Sequence, residues 1–548
     1  MTDRLTEERE AVGVERRFLR EAMRGSSGRL QDKEQRRRFV CDTISVLEVE
    51  SGSFRPRRPP RPMFTRAALT ALFATLAVLW HARPSQADAD GLEAETLAII
   101  DEILAEPDLP SAIWGIQIQD ARTGRVVLSR NADKNLLPAS NLKLMTTAAA
   151  LDGLGPTFRY TTRLYHFGEI GADGTLTGDL VIRGSGDPTF GSEGEGDPLR
   201  DWARALAEAG VRRIDGRIVG DDDVFEDARY GEGWDVTHIA TESYAPAAGG
   251  LVWGDNLVNI AIRGTSPGQS PVFEADPEGF ATVEGDVVTR SGGGRLDVER
   301  TLGTDTFVLR GGVPNGYRGT LRVPVANPTL FAVHAFALRL QEAGIEVADA
   351  QRVDVDDTTR KPSYDGAEPL RAYVSPTLDE IVERINRESD NLYAEQVLRT
   401  LGGGTVEGGA DRIEALVERA GVEGDGLYIA DGSGLSRKDM VTPASLAAVP
   451  RTMRNHPAAA SFRQSLPEGG GAGSTLRNRL SGVPVRAKTG SLLAVRCLAG
   501  YVDGPDGTPY VFVLMANNYT TRGGTIASAQ DNIVRALATG RRVPADEE

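Results

Sequence analysis

The chain has 548 residues, of which 40% are hydrophobic and 26% charged, a composition typical of a soluble globular protein with two or three domains. Its formal net charge of −16 makes it a poor binder of nucleic acid or anionic membranes by charge alone. Its two cysteines, Cys41 and Cys497, are too few and too far apart for a disulfide framework or a Cys-x-x-Cys site.

An uncharged apolar run near the start of the chain predicts export. Residues 67–80 follow a short basic stretch that begins at Met63, and small residues surround Ala87. This arrangement is typical of a secretory signal peptide, which we predict over residues 63–87 with cleavage after Ala87. A membrane anchor would need about 20 apolar residues, more than this run provides.

The residues before Met63 are rich in Arg and Glu and do not fit a signal peptide. We predict that residues 1–62 are a non-native or disordered extension and that translation begins at Met63. Because the signal peptide is expected to be removed, the mature chain should have no stable membrane span. We expect it to be secreted across the inner membrane and to be periplasmic.

The predicted elements of the mature chain form an α/β core that is interrupted by a β-rich segment. Residues 161–324 consist of short β-type runs separated by Gly and Asp, which predicts one or more inserted domains. The flanking segments, 88–160 and 325–540, are expected to form one discontinuous catalytic domain. Its predicted elements, in chain order, are a helix at 92–105, strands at 113–118 and 125–129, a buried helix that begins near Pro138, helices at 330–340 and 377–400, strands at 483–489, 494–502 and 510–516, and a helix at 524–538.

Lysine is rare in this chain and therefore informative. Only six of the 62 basic residues are Lys, and a desolvated lysine can give up its proton, which arginine effectively cannot. Lys143 follows Ser140 by three residues on a predicted helix, so the two side chains share one face. A serine hydroxyl needs a base to become a nucleophile, and a buried lysine can supply one. For Lys361 and Lys438, retention by drift is a sufficient explanation.

A second pattern, Ser389-Asp390-Asn391, lies between two helical runs. Ser-x-Asn is weak by itself, because Ser129-Arg130-Asn131 matches it equally well at a predicted strand end.

A third pattern, Lys488-Thr489-Gly490-Ser491, ends an alternating apolar run and precedes another strand. We therefore expect it on a strand that faces a cleft. Gly490 allows close backbone approach, and Lys488 offers a cation to a substrate carboxylate.

Together and in this order, the three motifs resemble those of the serine penicillin-recognising enzymes. The gap of 249 residues between Ser140 and Ser389, filled by a β-rich insert, resembles the penicillin-binding protein 4 type of D-Ala-D-Ala carboxypeptidase, peptidase family S13. Further stretches agree with this resemblance: Gly178-Asp-Leu-Val-Ile182, Gly186-Asp-Pro-Thr189, Ser243-Tyr-Ala-Pro246 and Asp431-Gly-Ser-Gly-Leu-Ser436.

The resemblance implies a fold and an activity. The expected fold class is α/β, with a penicillin-binding-protein or serine β-lactamase-like core, an antiparallel sheet flanked by helices, and a large mostly β insertion. The expected activity is that of a serine D-Ala-D-Ala carboxypeptidase, with D,D-endopeptidase activity as an addition. The expected partners are peptidoglycan stem peptides and, as covalent inhibitors, β-lactams.

The resemblance also implies roles for individual residues. Ser140 is the expected nucleophile and Lys143 its base, while Ser389 and Asn391 relay a proton and orient the substrate. Lys488 and Thr489 are expected to bind the terminal carboxylate beside Gly490 and Ser491. The oxyanion is expected to be held by backbone N–H groups of Ser140 and Ser491. No cofactor, no metal and no nucleic acid is expected.

Two questions stay open on the sequence alone. A β-lactamase and a non-catalytic protein that binds peptidoglycan or penicillin are the alternative functions. The family also carries an acidic residue shortly before the aromatic at Tyr244, facing the amino side chain of the stem peptide, and both Asp235 and Glu242 are candidates for it.

Overall fold

The protein is described by a computed structural model that covers residues 94–347, 352–359, 361–422 and 426–541. The predicted extension, 1–62, and the predicted signal peptide, 63–87, lie outside these residues. Among the described residues, no helix combines the length and the apolar character that crossing a membrane requires.

The described part of the chain contains eleven α-helices: α1 (Ala94–Leu104), α2 (Leu142–Gly153), α3 (Pro198–Glu208), α4 (Val236–Thr241), α5 (Pro328–Glu342), α6 (Leu378–Glu388), α7 (Asn391–Leu401), α8 (Val406–Arg419), α9 (Pro443–Met453), α10 (Ala459–Ser465) and α11 (Gly523–Thr539).

The same residues form nineteen strands: β1 (Ile113–Asp120), β2 (Val126–Arg130), β3 (Thr161–Ile170), β4 (Thr175–Arg183), β5 (Arg213–Asp215), β6 (Ile218–Asp221), β7 (Leu257–Arg263), β8 (Val272–Asp276), β9 (Thr282–Glu284), β10 (Val287–Arg290), β11 (Leu296–Arg300), β12 (Thr306–Pro314), β13 (Arg318–Pro324), β14 (Glu346–Val347), β15 (Arg352–Asp354), β16 (Arg371–Val374), β17 (Val485–Leu492), β18 (Val495–Asp503) and β19 (Pro509–Asn517).

A five-stranded antiparallel sheet, in the order β17-β18-β19-β1-β2, joins the two ends of the described chain. Alternate residues of β19 face opposite layers, as the period of a strand requires. Val511 and Val513 pack into a core with α2, α7 and α9, whereas Phe512 and Leu514 pack into a second core with α1 and α11. This sheet flanked by helices on both faces agrees with the expected fold class.

The segment between the two halves of this domain forms three further sheets. Their strand orders are β14-β5-β4-β3-β16 with β6 and β15 attached, β13-β7-β8, and β10-β12-β11 with β9 attached. A separate apolar core supports them, built from strand residues and from α3 and α5. The predicted β-rich insertion therefore has its own buried interior.

Two elements that follow residue 324 pack with the inserted sheets. Helix α5 was assigned to the catalytic domain on the sequence, but its side chains Phe331, Val333 and Phe336 are buried in the core of the inserted sheets. Strand β16 pairs antiparallel with β3, from Arg371 opposite Leu164 to Val374 opposite Thr161. We therefore propose that the insertion spans residues 161–374 and that the catalytic domain resumes at about residue 375.

Helix α2 lies at the centre of the catalytic domain. A single 3₁₀ turn, Ala139–Asn141, leads into it, and every residue from Leu142 to Leu151 is buried. The sequence predicts this, because the helix is apolar nearly all round. The buried helix thereby fixes the positions of the Ser140 and Lys143 side chains at its start.

Candidate active site

A cavity of about 750 Å³ opens where the start of α2, the turn between α6 and α7, and strand β17 meet. Side chains from the inserted region and from the loop after α8 complete its walls. The lining residues are Ser140, Asp235, His238, Tyr244, Ser389, Asn391, Gly434, Leu435, Arg437, Thr475, Thr489, Ser491, Leu492 and Leu493. The three motifs, distant in sequence, are therefore brought to one groove.

Ser140 and Lys143 are in contact at the start of α2. Nζ of Lys143 lies 3.2 Å from Oγ of Ser140, the neighbour relation that residues three apart have on a helix. The same Nζ donates to Oδ1 of Asn391 at 2.6 Å and to the backbone oxygen of Ser433 at 2.6 Å. The amine is thus held in one place beneath the hydroxyl.

Burial decides the protonation of this lysine. The Lys143 side chain is completely buried, and desolvation lowers its pKa from 10.5 to about 8. The negative charges of Asp431 and Glu395 act in the opposite direction. A lysine with a pKa near 8 has a sizeable neutral fraction at neutral pH, so it can accept the proton of a serine.

The turn between α6 and α7 presents Ser389 and Asn391 to the cavity. Helix α6 begins with the predicted capping box of Thr377 and Glu380 and ends at Ser389, which adopts left-handed backbone angles (φ 68°, ψ 37°). Asp390 then caps α7 by accepting a hydrogen bond from the backbone N–H of Tyr393 at 3.1 Å. The two helices therefore meet at a capped turn, and the side chains of Ser389 and Asn391 face the cavity.

Strand β17 supplies the third motif, with alternate residues on opposite sides. Thr489 and Ser491 line the cavity. Lys488 is completely buried, and its Nζ donates to Oγ of Ser389 at 2.8 Å and to the backbone oxygen of Thr489 at 2.9 Å. Burial and the nearby Lys143 lower the pKa of Lys488 well below its usual value. Lys488 therefore lies beneath the cavity lining and contacts it through Ser389 and Thr489.

Gly490 faces away from the cavity, against the segment that carries the nucleophile. A Cβ at this position would lie 2.8 Å from the backbone oxygen of Pro138 and 3.1 Å from the backbone nitrogen of Asn141. Since real Cβ contacts are longer, a side chain here would push β17 away from Ser140. The close backbone approach that the sequence predicts at Gly490 is therefore to the chain segment around Ser140.

Two backbone contributions to the site were not predicted, although both belong to stretches that support the family resemblance. The loop Asp431–Ser436 provides the Ser433 carbonyl that holds Lys143. The backbone oxygen of Tyr244, from the inserted region, accepts a hydrogen bond from Nδ2 of Asn391 at 2.7 Å. The glycine-rich spacing of Asp431–Ser436 was the one available signal for a tight loop, whereas a backbone carbonyl leaves no trace in side-chain identity.

The inserted region also contributes charged and aromatic side chains to the cavity wall. Asp235 lines the cavity and caps α4, accepting from the backbone N–H of Thr237 at 2.8 Å. Glu242, at the end of the same helix, is exposed and does not belong to the lining. The geometry thus places only the first of the two acidic candidates in the cavity.

A group of carboxylates outside the cavity has the spacing of a metal site. Asp222, Asp354 and Asp356 offer oxygens within 4.8 Å of one another. All three already bind a protein donor, since Asp222 accepts from Thr329 at 2.5 Å, Asp354 from Asn327 at 3.0 Å and Asp356 from Lys361 at 3.2 Å. The chemistry of a serine activated by an amine requires no metal, and we assign this group no role.

Comparisons with known proteins point to a single family. Residues 96–539 match the family model described as the D-Ala-D-Ala carboxypeptidase 3 (S13) family. The D-alanyl-D-alanine carboxypeptidase of Actinomadura sp. (strain R39) is 31% identical over 503 residues, which cover 87% of this chain and 91% of the relative. Carboxypeptidase DacB of Mycolicibacterium smegmatis is 28% identical over 453 residues, covering 80% of this chain and 83% of the relative.

The fold has a close counterpart among solved structures. The crystal structure of penicillin binding protein 4 (dacB) from Haemophilus influenzae superposes with a TM-score of 0.69 at 23% identity, covering 80% of this chain and 99% of that one. This likeness confirms the expected fold class. The extent of the family match and the identity to the Actinomadura enzyme confirm the predicted family, so the chain belongs to the S13 family of D-Ala-D-Ala carboxypeptidases.

Proposed function

We propose that this protein is a serine D-Ala-D-Ala carboxypeptidase that removes the terminal D-alanine of peptidoglycan stem peptides through an acyl-enzyme on Ser140. The observation that carries the proposal is the contact between Oγ of Ser140 and the buried amine of Lys143, 3.2 Å apart at the floor of an open cavity. The activity named for the Actinomadura relative supports the choice of substrate.

Acylation begins with the neutral amine of Lys143. It takes the proton of Ser140, and Oγ attacks the carbonyl between the last two D-alanines. Negative charge then develops on the carbonyl oxygen, and the backbone N–H groups of Ser140 and Ser491 are the proposed donors to it. The hydrogen bonds of Lys143 to Asn391 and Ser433 keep the amine aimed at the hydroxyl throughout this step.

Expulsion of D-alanine requires a proton on its nitrogen. Ser389 is the proposed donor, because its Oγ receives a hydrogen bond from Lys488 and faces the cavity. Asn391 orients the substrate beside it. The proton that Lys143 took from Ser140 is returned to Ser389, which leaves the amine neutral. Water then attacks the acyl-enzyme, Lys143 takes the proton of the water, and this proton passes to Oγ of Ser140 as the acyl bond breaks.

The free carboxylate of the substrate is proposed to bind at Thr489, above Lys488. Burial favours the neutral form of Lys488 in the free protein. A carboxylate that arrives next to this amine favours the charged form instead, since an opposite charge at short range raises the pKa of a lysine. Lys488 would thus act from beneath the cavity, through charge and through its hydrogen bond to Thr489.

Asp235 is the proposed partner of the amino side chain on the stem peptide. Its carboxylate lines the same cavity as Ser140, and its pKa is lowered by the hydrogen bonds of Thr237, so it is charged at neutral pH. A fixed negative charge on the wall favours a substrate with a free amino group over one without it.

We further propose that the mature enzyme is secreted across the inner membrane, is periplasmic and begins after Ala87. Peptidoglycan stem peptides are then its substrates, and β-lactams acylate Ser140 as covalent inhibitors. D,D-endopeptidase activity would use the same machinery, because a peptide cross-link presents the same type of D-alanyl bond.

Analysis of muropeptides tests the proposal. Purified protein should release D-alanine from pentapeptide muropeptides, and a Ser140→Ala variant should not. A fluorescent penicillin should label Ser140 and persist on the protein, whereas rapid loss of the label would favour a β-lactamase. Labelling without release of D-alanine would favour the non-catalytic alternative. Cleavage of cross-linked dimers in the same digest reports the endopeptidase activity.

A further inference from the structure

A buried ion pair on α7 lies next to the loop that holds Lys143. Nη1 of Arg399 lies 2.7 Å from Oε2 of Glu395, and both side chains are 1% exposed. Oε1 of Glu395 accepts hydrogen bonds from the backbone N–H groups of Gly432 at 2.8 Å and Ser433 at 3.0 Å. Each oxygen of this carboxylate therefore has a fixed donor.

Ser433 connects the carboxylate of Glu395 to the catalytic amine of Lys143. Ser433 donates its N–H to Glu395 and accepts, through its carbonyl, the hydrogen bond of Lys143 at 2.6 Å. Arg399 also donates to the backbone oxygen of Ala228 in the inserted region at 2.9 Å. A continuous chain of hydrogen bonds thus leads from the insertion, through the ion pair and one loop residue, to the amine of Lys143.

We infer that Glu395 is a positioning residue for the reaction: it holds the Ser433 carbonyl against Nζ of Lys143 and, as a buried negative charge, stabilises the protonated form of this lysine. The inference rests on the proposed role of Lys143 as the base. It assigns to Glu395 a function beyond packing, although the side chain touches neither the substrate nor the reacting atoms.

Several other titratable groups lie near Lys143, and the effect of the Glu395 charge on the pKa of this lysine depends on which of them are charged. The titratable groups that face it are Asp390 and Glu395 from α7, Asp431 and Asp439 from the loop after α8, and Lys488 from β17. Burial and the neighbouring Asp431 raise the pKa of Asp439 well above its usual value, which favours its neutral form. Burial raises the pKa of Glu395 as well, but its pairing with Arg399 and its hydrogen bond from Ser433 oppose that shift and favour the charged carboxylate.

The competing explanation is that the ion pair only stabilises α7. Breaking a buried pair is strongly destabilising whatever its role, so loss of stability does not separate the two explanations. The pH dependence of acylation does, because a structural defect lowers the rate at every pH. Loss of a negative charge near Lys143 instead favours its neutral form and moves the acid limb of the profile to lower pH.

The test is a Glu395→Gln variant of the purified protein, with Asp187→Asn as the matched control. Asp187 is likewise a buried carboxylate outside the cavity lining, and its Oδ1 accepts hydrogen bonds from the backbone N–H and the hydroxyl of Thr189 in the inserted region. The readout is the second-order rate constant for acylation by a fluorescent penicillin between pH 6 and pH 10. We expect Glu395→Gln to move the acid limb down by about 0.5 to 1 pH unit and to lower the plateau about tenfold.

The control should retain the wild-type profile. An acid limb of Glu395→Gln that coincides with wild type overturns the inference. If that variant does not fold, the double variant Glu395→Gln/Arg399→Met leaves no unpaired buried charge. Because it also removes the positive charge of Arg399, we expect a smaller downward shift of the acid limb, and an acid limb and a plateau that both equal wild type overturn the inference. Failure of the proposed function is a different result, namely acylation that survives in Lys143→Ala or Ser140→Ala.

Discussion

Nζ of Lys488 donates a hydrogen bond of 2.8 Å to Oγ of Ser389, although 99 positions separate the two residues in the chain. The contact fastens β17 to the turn between α6 and α7. Two residues later in that turn, Asn391 accepts a hydrogen bond from Lys143, which lies beside Ser140. One turn thus contacts both buried lysines. The hydroxyl of Ser140 is paired with Lys143, and that of Ser389 with Lys488.

Replacement of Lys143 by arginine should slow acylation strongly without removing the positive charge. A guanidinium stays protonated at any working pH, so it cannot accept the proton of Ser140. We expect the rate constant for acylation by a fluorescent penicillin to fall by about 10² to 10⁴, the usual contribution of a general base. The rate is measured by quenched-flow labelling followed by gel fluorescence.

The matched control for this substitution is Lys361→Arg. Lys361 is half-exposed and pairs with Asp223 and Asp356 on the surface of the inserted region, so either cation should satisfy its partners. Its acylation rate should equal that of wild type. A Lys143→Arg variant that acylates as fast as this control would contradict the assignment of Lys143 as the base.

Acylation by the wild-type protein should increase with pH. Burial lowers the pKa of Lys143 to about 8, and only the neutral amine can act as a base. The neutral fraction falls about tenfold for each pH unit below that value, so the rate should rise steeply from pH 6 and level off above about pH 8. A flat profile over this range, with circular dichroism showing the protein folded throughout, would mean that the lysine is neutral at every pH or is not the base.

Local relationships were predictable from the sequence. The spacing of Ser140 and Lys143 places them on one helix face whatever the rest of the fold, and the pattern of Thr377 and Glu380 specifies a capping box. Long-range contacts were predictable only through the family resemblance. Nothing in the composition of residues 389–391 indicates that their partner is a lysine near residue 490.

Other features could not be predicted from the sequence, for physical reasons. The Ser433 and Tyr244 carbonyls that bind Lys143 and Asn391 are backbone atoms, which every residue has, so only tertiary packing selects them. The side to which α5 packs was also missed, because an all-round apolar helix shows that it is buried but not against which sheet. Its contacts with the inserted sheets follow from a core formed far away in sequence.

An Asp235→Asn substitution should impair recognition of the stem peptide but not acylation by penicillin. The substitution removes the negative charge from the cavity wall, and an asparagine oxygen can still cap α4. We expect KM for an amino-bearing stem peptide to rise about tenfold with little change in kcat, the loss of one charge-assisted hydrogen bond. The kinetics of D-alanine release measure both parameters.

Glu242→Gln provides the comparison, since it removes a carboxylate at the other end of the same helix, outside the cavity lining. It should leave both parameters unchanged. If Glu242→Gln raises KM and Asp235→Asn does not, the acidic partner of the substrate has been assigned to the wrong residue.

Gly434→Ala should inactivate the enzyme through the turn that carries its nucleophile. Gly434 has φ +78°, and a Cβ there would lie 1.9 Å from the backbone oxygen of Ala139, directly before Ser140. Gly421 has a similar φ of +82° but nothing within 4 Å of the added Cβ, so both alanines carry left-handed strain of about 1 to 2 kcal/mol and only one displaces the turn. We expect Gly421→Ala to lower Tm by a few degrees with wild-type acylation, and Gly434→Ala to acylate at least about 100-fold more slowly. Equal acylation rates in the two variants, measured with fluorescent penicillin below both Tm values, would show that Ser140 tolerates displacement of this loop.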